Sequence, residues 1–324
     1  MMNYAQAKRI ELPDIPVIDV AALSGGTDGI AGVARAMRSA SENTGFFYIR
    51  NHGVPQALID RVYDASRRFF AQPLAEKQKV RINARHRGFL KVGEAKMYDK
   101  ARIDLKESYI WGLELGEDDP DVRAGRKLMG PNQWPADMPE FRAALTDYYE
   151  AMLACGNRLL LGMAASLDLP LDFFTSRFRK PLARGSLVYY PPQPPDMGSE
   201  QFGVAPHTDY GGITFVWQDQ VGGLQVKGRS GEWVTAHPIP GTFVVNIGDL
   251  MARWTNDHFT SNPHRVINSS GRERYSIAVF FDPDYDTVVD PAEIFRGREA
   301  PRHPPITCGE YIVSRFDRAF AYRK

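Results

Sequence analysis

The sequence predicts a mainly β protein, with a jelly-roll type core and N-terminal and long central helices packed on it. The first 181 residues are mostly helical in pattern, because apolar residues recur every three or four positions. From residue 182 onward the pattern changes to short aromatic and β-branched segments separated by glycines. Helices followed by many short strands are typical of a β core with helical support.

Four helices are predicted from the spacing of apolar residues. The longest covers residues 139–167, and we expect it to pack across the sheet with its aromatic and methionine residues in the core. Gly45 ends the first helix, and Pro55 begins the second. The three shorter helices are predicted at residues 29–43, 55–69 and 308–320.

Strands are predicted where short apolar runs rich in β-branched and aromatic residues lie between turn residues. In the N-terminal part these are residues 17–20 and 46–50. In the C-terminal part they are residues 187–190, 213–218, 224–226, 233–236, 243–247 and 275–281.

The bulk composition points to a single domain, residues 1–324, with a mostly helical portion at 1–181 and a β core at 182–324. No Pro/Gly/Ser-rich linker, low-complexity segment or repeat interrupts the chain. Forty basic and 39 acidic residues give a net charge of +1, which indicates no nucleic-acid partner. Two cysteines, no signal-peptide pattern and no long apolar run lead us to expect a cytoplasmic protein without a membrane partner.

Two histidines and a carboxylate are the candidate metal ligands. In a strand, His207 and Asp209 point to the same face of the sheet. His264 lies in a second β-rich region, and closure of a barrel brings it towards them. Two imidazoles and one carboxylate form the facial arrangement of non-haem Fe(II) oxygenases. The alternatives are a pair of buried core histidines, or His258 as the third ligand.

Arg274 and Ser276 form a candidate carboxylate clamp. If the predicted strand at residues 275–281 is continued by one residue at each end, Arg274 and Ser276 lie on one face of it. Phe280 and Asp282 lie further along the same face. A buried arginine requires an anion, and its planar fork suits a carboxylate. The alternative is an internal ion pair between Arg274 and an Asp or Glu.

These residues, in this order and spacing, resemble the Fe(II)- and 2-oxoglutarate-dependent dioxygenases of the isopenicillin N synthase-like family. The resemblance extends over most of the chain and is specific because many motifs stay in register. They are IPVID at 15–19, TGFFY at 44–48, NHGVP at 51–55, RGF at 87–89, YYPP at 189–192, GGLQV at 222–226 and NIGDL at 246–250.

The resemblance implies a double-stranded β-helix, the cupin-like jelly roll, with Fe(II) as the metal and 2-oxoglutarate and O2 as co-substrates. The implied reaction hydroxylates an unactivated C–H bond of a small molecule and releases succinate and CO2. Arg274 and Ser276 are then expected to bind the distal carboxylate of 2-oxoglutarate. Tyr190 resembles the family tyrosine that also reaches this carboxylate, although packing inside the barrel explains it equally well.

Substrate contacts are predicted at four residues. Phe280 and Asp282 follow Arg274 on the inward face, and Phe89 and Tyr98 are candidates on the N-terminal side. His86 lies in a loop that lines the substrate pocket in the family, although a solvated loop histidine is the simpler interpretation.

Two other functions are compatible with the sequence. One is an Fe(II) oxidase of this fold that works without 2-oxoglutarate, against which Arg274 argues. The other is a binding or structural module that keeps the fold without catalysis, against which the intact ligands and clamp argue.

Overall fold

The structure, a computed structural model, describes residues 15–25, 29–94, 104–193, 201–295 and 297–320. A short 3-10 helix covers Ala21–Ser24. The α-helices in these ranges are α1 (Ile30–Asn43), α2 (Gln56–Phe70), α3 (Leu74–Gln78), α4 (Pro120–Arg123), α5 (Pro139–Ser166), α6 (Asp172–Thr175), α7 (Asp249–Trp254), α8 (Pro291–Phe295) and α9 (Cys308–Ala319).

The strands in the same ranges belong to three sheets. They are β1 (Val17–Asp19), β2 (Phe46–Arg50), β3 (Gly88–Leu90), β4 (Glu107–Gly112), β5 (Arg184–Tyr190), β6 (Val204–His207), β7 (Ile213–Gln218), β8 (Leu224–Lys227), β9 (Trp233–Thr235), β10 (Thr242–Ile247), β11 (His264–Val266), β12 (Arg274–Phe281), β13 (Val288–Val289) and β14 (Ile306–Thr307).

The large sheet has the strand order β1-β2-β10-β7-β12-β5-β4-β3, and the small sheet has the order β6-β11-β8-β9. Strands β13 and β14 form a separate pair. The β1–β2 pair is parallel, and the other pairs between these strands are antiparallel. Two facing antiparallel sheets with helices outside form the predicted jelly roll.

One face of the large sheet packs on the helices. Along β12, Tyr275, Ile277, Val279 and Phe281 join the main hydrophobic core, and α2 and α5 contact this strand. Burying a side chain of this kind stabilises the fold by about 1.5–3 kcal/mol. The alternation of side chains turns Arg274 and the other even-numbered residues of β12 to the opposite face.

The opposite face of the large sheet encloses a second apolar cluster together with the small sheet. Val188 and Tyr190 of β5 meet Leu224 and Val226 of β8 and Val266 of β11 in this cluster. The interior between the two sheets is therefore partly apolar, and the polar side chains that point into it are exceptions.

The first 181 residues contribute more strand than the sequence pattern predicts. The predicted helices are present as α1, α2, α5 and α9, but four strands of this portion, β1 to β4, extend the large sheet on both sides. No helix within the described ranges combines the length and apolar character that crossing a membrane requires.

Gly45 gives a stability prediction. Its φ is +67°, and a Cβ placed on it would overlap the main-chain oxygen of Thr260. We expect Gly45→Ala to lower the free energy of unfolding by about 1–3 kcal/mol beyond the cost of the backbone conformation, as overpacking does. Gly125 is the matched control, since its φ is +70° and nothing lies within 4 Å of its Cβ position. Urea unfolding of both variants checks this, and equal losses would contradict it.

Candidate metal centre and cavity

The pairing of β6 and β11 brings two histidines together. His207 and His264 are direct cross-strand partners in this antiparallel pair. Their ring centroids lie 4.2 Å apart. The rings of Phe46 and His264 make a T-shaped contact, with 5.3 Å between their centroids.

Asp209 completes the cluster from a loop and not from a strand. Strand β6 ends at His207, so the expectation that strand alternation aligns Asp209 with His207 is wrong in detail. The loop nevertheless places Asp209 Oδ1 3.6 Å from His207 Nε2 and 3.7 Å from His264 Nε2. One ligand atom from each of the three residues lies within 4.8 Å of the others.

Hydrogen bonds fix the orientation of both imidazoles. His207 Nδ1 donates to the carbonyl of Ala205 at 2.8 Å, and His264 Nδ1 donates to the carbonyl of Asn262 at 3.3 Å. Because a carbonyl only accepts, the proton of each neutral ring is on Nδ1. Each Nε2 lone pair is therefore directed towards Asp209, the arrangement expected of metal-binding histidines.

The second oxygen of Asp209 is held by two neutral donors. Thr214 Oγ1 donates to Oδ2 at 2.6 Å, and Asn246 Nδ2 donates to the same atom at 2.7 Å. Both donors come from the large sheet, from β7 and β10 respectively. The carboxylate is thereby oriented with Oδ1 towards the histidines.

The protonation states of His207 and Asp209 match those that a metal requires. Burial, together with the neighbouring His264, lowers the pKa of His207 to about 3, so the ring is neutral near pH 7. Burial opposes the charge of Asp209, but the two histidines and the hydrogen bonds from Asn246 and Thr214 lower the pKa of its carboxyl group. Two neutral imidazoles and one carboxylate fit Fe(II) as a donor set.

Arg274 is a buried cation with neutral partners. Its side chain donates to the carbonyl of Gly222, to Ser276 Oγ at 3.3 Å and to Gln218 Oε1 at 3.2 Å. The ring centroid of Tyr190 lies 4.5 Å from its guanidinium carbon. No carboxylate of the described ranges lies within ion-pair distance of Arg274, which removes the internal ion pair as an explanation. The buried Asp219 lies near enough for Arg274 to oppose the rise that burial causes in the pKa of its carboxyl group, but it forms no ion pair with Arg274. The guanidinium therefore still suits an anionic ligand.

A cavity of about 110 Å³ adjoins the cluster, and Arg274 does not form part of its wall. His207 and Asp209 do form part of that wall. Aromatic residues and two cations form much of the remainder, namely His86, Tyr210, Phe280, Phe316, Phe320, Lys106 and Arg184. The chain thus contains a three-ligand cluster with a partly apolar cavity beside it.

Comparison with known proteins identifies the family. The model of the 2OG-Fe(II) oxygenase superfamily matches residues 186–283, and that of the N-terminal part of the non-haem dioxygenases in morphine synthesis matches residues 15–137. The 2-oxoglutarate-Fe(II) type oxidoreductase hxnY of Emericella nidulans is 40% identical over 325 residues, covering 95% of this chain and 92% of that protein. The chain belongs to the 2-oxoglutarate- and Fe(II)-dependent dioxygenases.

Other proteins of the family are similar over nearly the whole chain. A homoarginine-6-hydroxylase of Glycine max is 33% identical and covers 89% of this chain, with 91% of its own length matched. A full-length Neurospora crassa protein, crystallised in complex with α-ketoglutarate, superimposes with a TM-score of 0.83 at 28% identity, covering 97% of this chain and 99% of its own. The fold is therefore the double-stranded β-helix, and the protein is an oxidoreductase that uses Fe(II), 2-oxoglutarate and O2.

The residues predicted to contact substrate lie in different places in this dioxygenase. Phe280 lines the cavity. Asp282 is fully buried, does not line the cavity, and forms a 2.8 Å ion pair with Arg184. Phe89 does not line the cavity but lies in the main core, 6.0 Å from the ring of Phe69, because alternation along β3 turns Leu90 to the cavity instead. Tyr98 lies outside the described residues.

The surroundings of His86 and His258 decide between the alternatives that the sequence leaves open for these two histidines. His86 is buried, not a solvated loop residue, and its ring lies 4.4 Å from Phe316 and 4.9 Å from Phe320 between centroids. His258 Nε2 is hydrogen-bonded to Glu299 Oε1 at 2.8 Å, and His258 does not line the cavity of the dioxygenase. It is therefore not the third ligand of the cluster.

Sequence reasoning missed the two cations of the cavity. Arg184 begins β5 and shares its face with Tyr190, six residues further on, so strand alternation was a sufficient signal. Lys106 lies just before β4 and carried no recognisable pattern. Phe316 and Phe320 belong to the C-terminal helix and the residue after it, which only the tertiary structure brings over the cavity.

Proposed function

We propose that this dioxygenase hydroxylates an unactivated C–H bond of a small molecule, with 2-oxoglutarate and O2 converted to succinate and CO2. The observation that carries the proposal is the His207–Asp209–His264 cluster, which adjoins a partly apolar cavity. The same fold also contains the buried Arg274. A cavity of this size admits a molecule of about one ring. Bound Fe(II) would supply O2 activation, while the protein binds and orients the reactants.

In this proposal His207, Asp209 and His264 hold the iron through Nε2, Oδ1 and Nε2. The support is the shared direction of these three atoms and the hydrogen bonds that fix each side chain. Three ligands on one face leave the opposite positions open to the co-substrate and O2.

Arg274 and Ser276 bind the distal carboxylate of 2-oxoglutarate in the same proposal, and Tyr190 packs its ring on the guanidinium. A buried guanidinium that forms no ion pair with a carboxylate of the described residues supports this role, since an anionic co-substrate would supply such a partner. The same observation favours a 2-oxoglutarate-dependent hydroxylase over an oxidase that needs no such anion.

The relatives support a small-molecule substrate. One is named a homoarginine-6-hydroxylase, and the Neurospora crassa protein was also crystallised with α-ketoglutarate and thymine. Homoarginine, in the name of the first protein, and thymine, in the crystals of the second, are both small molecules. The cavity of about 110 Å³ also requires a small substrate.

The test is a screen of small molecules under 18O2 with Fe(II) and 2-oxoglutarate. We expect a product that gains one labelled oxygen, together with one succinate per product. A product formed without consumption of 2-oxoglutarate would establish the oxidase instead. A product that has lost two hydrogens would show desaturation.

Thr214→Val is expected to weaken Fe(II) binding by about 10- to 100-fold, the usual effect of losing a partner that orients a metal ligand. The substitution preserves the shape of the side chain and removes the 2.6 Å hydrogen bond to Asp209. Thr242→Val is the matched control, because Thr242 donates to the carbonyl of Ile239 outside the cluster. Anaerobic Fe(II) titration measures both, and unchanged affinity in Thr214→Val would contradict the expectation.

A further inference from the structure

We propose that the substrate is a small planar carboxylate whose anionic group binds Arg184, with its ring between Phe280 and the aromatic residues of α9. This inference rests on the proposed function, since it describes the substrate of the same site. It rests on three features of the cavity, namely a free edge on Arg184, a second buried guanidinium behind it and flat walls.

Arg184 presents an unused edge to the cavity. Its Nη1 donates to Asp282 Oδ2 at 2.8 Å and to the carbonyl of Leu182 at 3.2 Å. In the described part of the chain, Nη1 is the only nitrogen of the Arg184 side chain that donates a hydrogen bond. The Nε and Nη2 groups therefore remain for a ligand, and a guanidinium edge of two parallel N–H groups matches a carboxylate.

Asp282 positions Arg184 but is itself turned away from the cavity. Its Oδ1 accepts from the amide of Gly212 at 2.8 Å, so both carboxylate oxygens are occupied. It is fully buried and does not form part of the cavity wall. The guanidinium is thereby fixed before a ligand arrives, which reduces the entropy lost on binding.

A second buried guanidinium adds positive charge behind Arg184. Arg87 lies beside Gly112, and Gly112 is the cross-strand partner of Arg184. Within the described ranges its hydrogen bonds go to main-chain carbonyls, including that of Leu128 at 2.9 Å, and its Nε has no acceptor. Asp282 is the ion-pair partner of Arg184. Arg87 forms no ion pair within the described ranges, and the nearby Glu114 only partly opposes the fall in the pKa of Arg87 that burial and Arg184 cause. An anionic substrate would therefore be favoured beside these two guanidinium groups.

The walls near Arg184 are flat. The Arg184 guanidinium carbon lies 5.4 Å from the Phe280 ring centroid and 4.8 Å from that of Phe316. His86 packs on Phe316 and also lines the cavity. Aromatic walls favour a planar partner in stacked or edge-to-face contact. A volume of about 110 Å³ is near that of a cavity that accepts benzene, so one ring is the expected size.

Lys106 provides an internal comparison, because it is the other cation among the described residues of the cavity wall. It lies six residues before Gly112, the partner of Arg184, which is about 20 Å along the strand direction. Its Nζ is 3.8 Å from Asp104 Oδ2. The main-chain positions of the two residues are therefore well separated, and substitutions distinguish which one binds the anion.

The experiment measures binding of benzoate, benzamide and cyclohexanecarboxylate to protein loaded anaerobically with Fe(II) and 2-oxoglutarate. Isothermal titration and perturbation of the visible band of the chelated co-substrate serve as readouts. We expect benzoate to bind at least about tenfold more tightly than either other compound, as charge-assisted bidentate bonds and ring packing predict. Equal binding of benzoate and benzamide, or binding of neither, would overturn the carboxylate. Equal binding of the two acids would overturn planarity.

The decisive variant is Arg184→Gln combined with Asp282→Asn, which removes both charges and keeps a hydrogen-bonded pair. We expect it to abolish the preference for benzoate over benzamide, while Lys106→Met keeps that preference. The opposite pattern would place the anion at Lys106 and overturn the proposal. The visible band distinguishes failure of the proposed function from failure of the proposed substrate class. Absence of the band in the unmodified protein refutes the proposed function. An intact band in a protein that shows no preference for benzoate over benzamide refutes the substrate class alone.

Discussion

Replacing His264 by alanine is expected to abolish both Fe(II) binding and 2-oxoglutarate turnover. Loss of a partner that merely orients a ligand costs about 10- to 100-fold in affinity, so loss of a ligand costs about 100-fold or more. Anaerobic addition of Fe(II) and 2-oxoglutarate, followed by the visible charge-transfer band of the chelated co-substrate, measures the effect directly.

His258→Ala is the control for this variant. His258 pairs with Glu299 at 2.8 Å and stacks on Phe295 at 4.7 Å between centroids, and it does not line the cavity. The band is expected to persist in this protein with unchanged intensity. A band that survives in folded His264→Ala, or disappears in folded His258→Ala, would refute the assignment of the cluster.

Arg274→Ala is expected to weaken 2-oxoglutarate binding by about 30-fold or more, because truncating one partner of a buried, hydrogen-bonded charge pair costs about 2–5 kcal/mol. Arg274→Lys keeps the charge and loses the planar fork, so we expect an intermediate loss. Fe(II) affinity should remain unchanged in both, since Arg274 does not belong to the three-residue cluster. Titration of 2-oxoglutarate into the Fe(II) protein checks each value.

Arg265→Lys provides the matched control for buried arginines. Arg265 is also buried, donates to Gln225 Oε1 at 2.8 Å and lies 4.1 Å from the Trp233 ring centroid. We expect no change in 2-oxoglutarate affinity when it is replaced. Equal losses in Arg265→Lys and Arg274→Lys would show a general effect of repacking, and unchanged affinity in Arg274→Ala would support the 2-oxoglutarate-independent oxidase.

The predictable part of the fold was the part specified by local periodicity. Helix α5 and strands β2 and β7 follow the apolar spacing closely, because one face of each element must be buried. Strands β3 and β4 were not predicted, since their burial depends on neighbours distant in the chain. For the same reason the helical appearance of the first 181 residues concealed their share of the large sheet.

The site residues were also predictable only where a local pattern specifies them. The residue types of His207, Asp209, His264 and Arg274 indicate their chemistry directly, and their proximity follows from strand pairing. The position of Asp209 in a loop was not predictable. The spacing of His207 and Asp209 fits one face of a strand, and this spacing is the same whether the strand continues to Asp209 or ends before it.

Cavity walls were least predictable. His86 has the sequence context of an exposed loop residue, yet α9 buries it from more than 200 positions away in the chain. Phe89 and Leu90 are equally apolar neighbours and both belong to the main core, so only the direction of β3 decides which of them also lines the cavity.

In the proposed function, the even-numbered face of β12 carries two separate roles at its two ends. Arg274 and Phe280 are six residues apart on this strand, which is about 20 Å. Substitutions so far apart contribute nearly additively. Mutations at the Phe280 end can therefore change the substrate while the Arg274 end continues to bind 2-oxoglutarate. Descendants of one ancestral protein can in this way diverge in the substrate they oxidise and keep the same co-substrate.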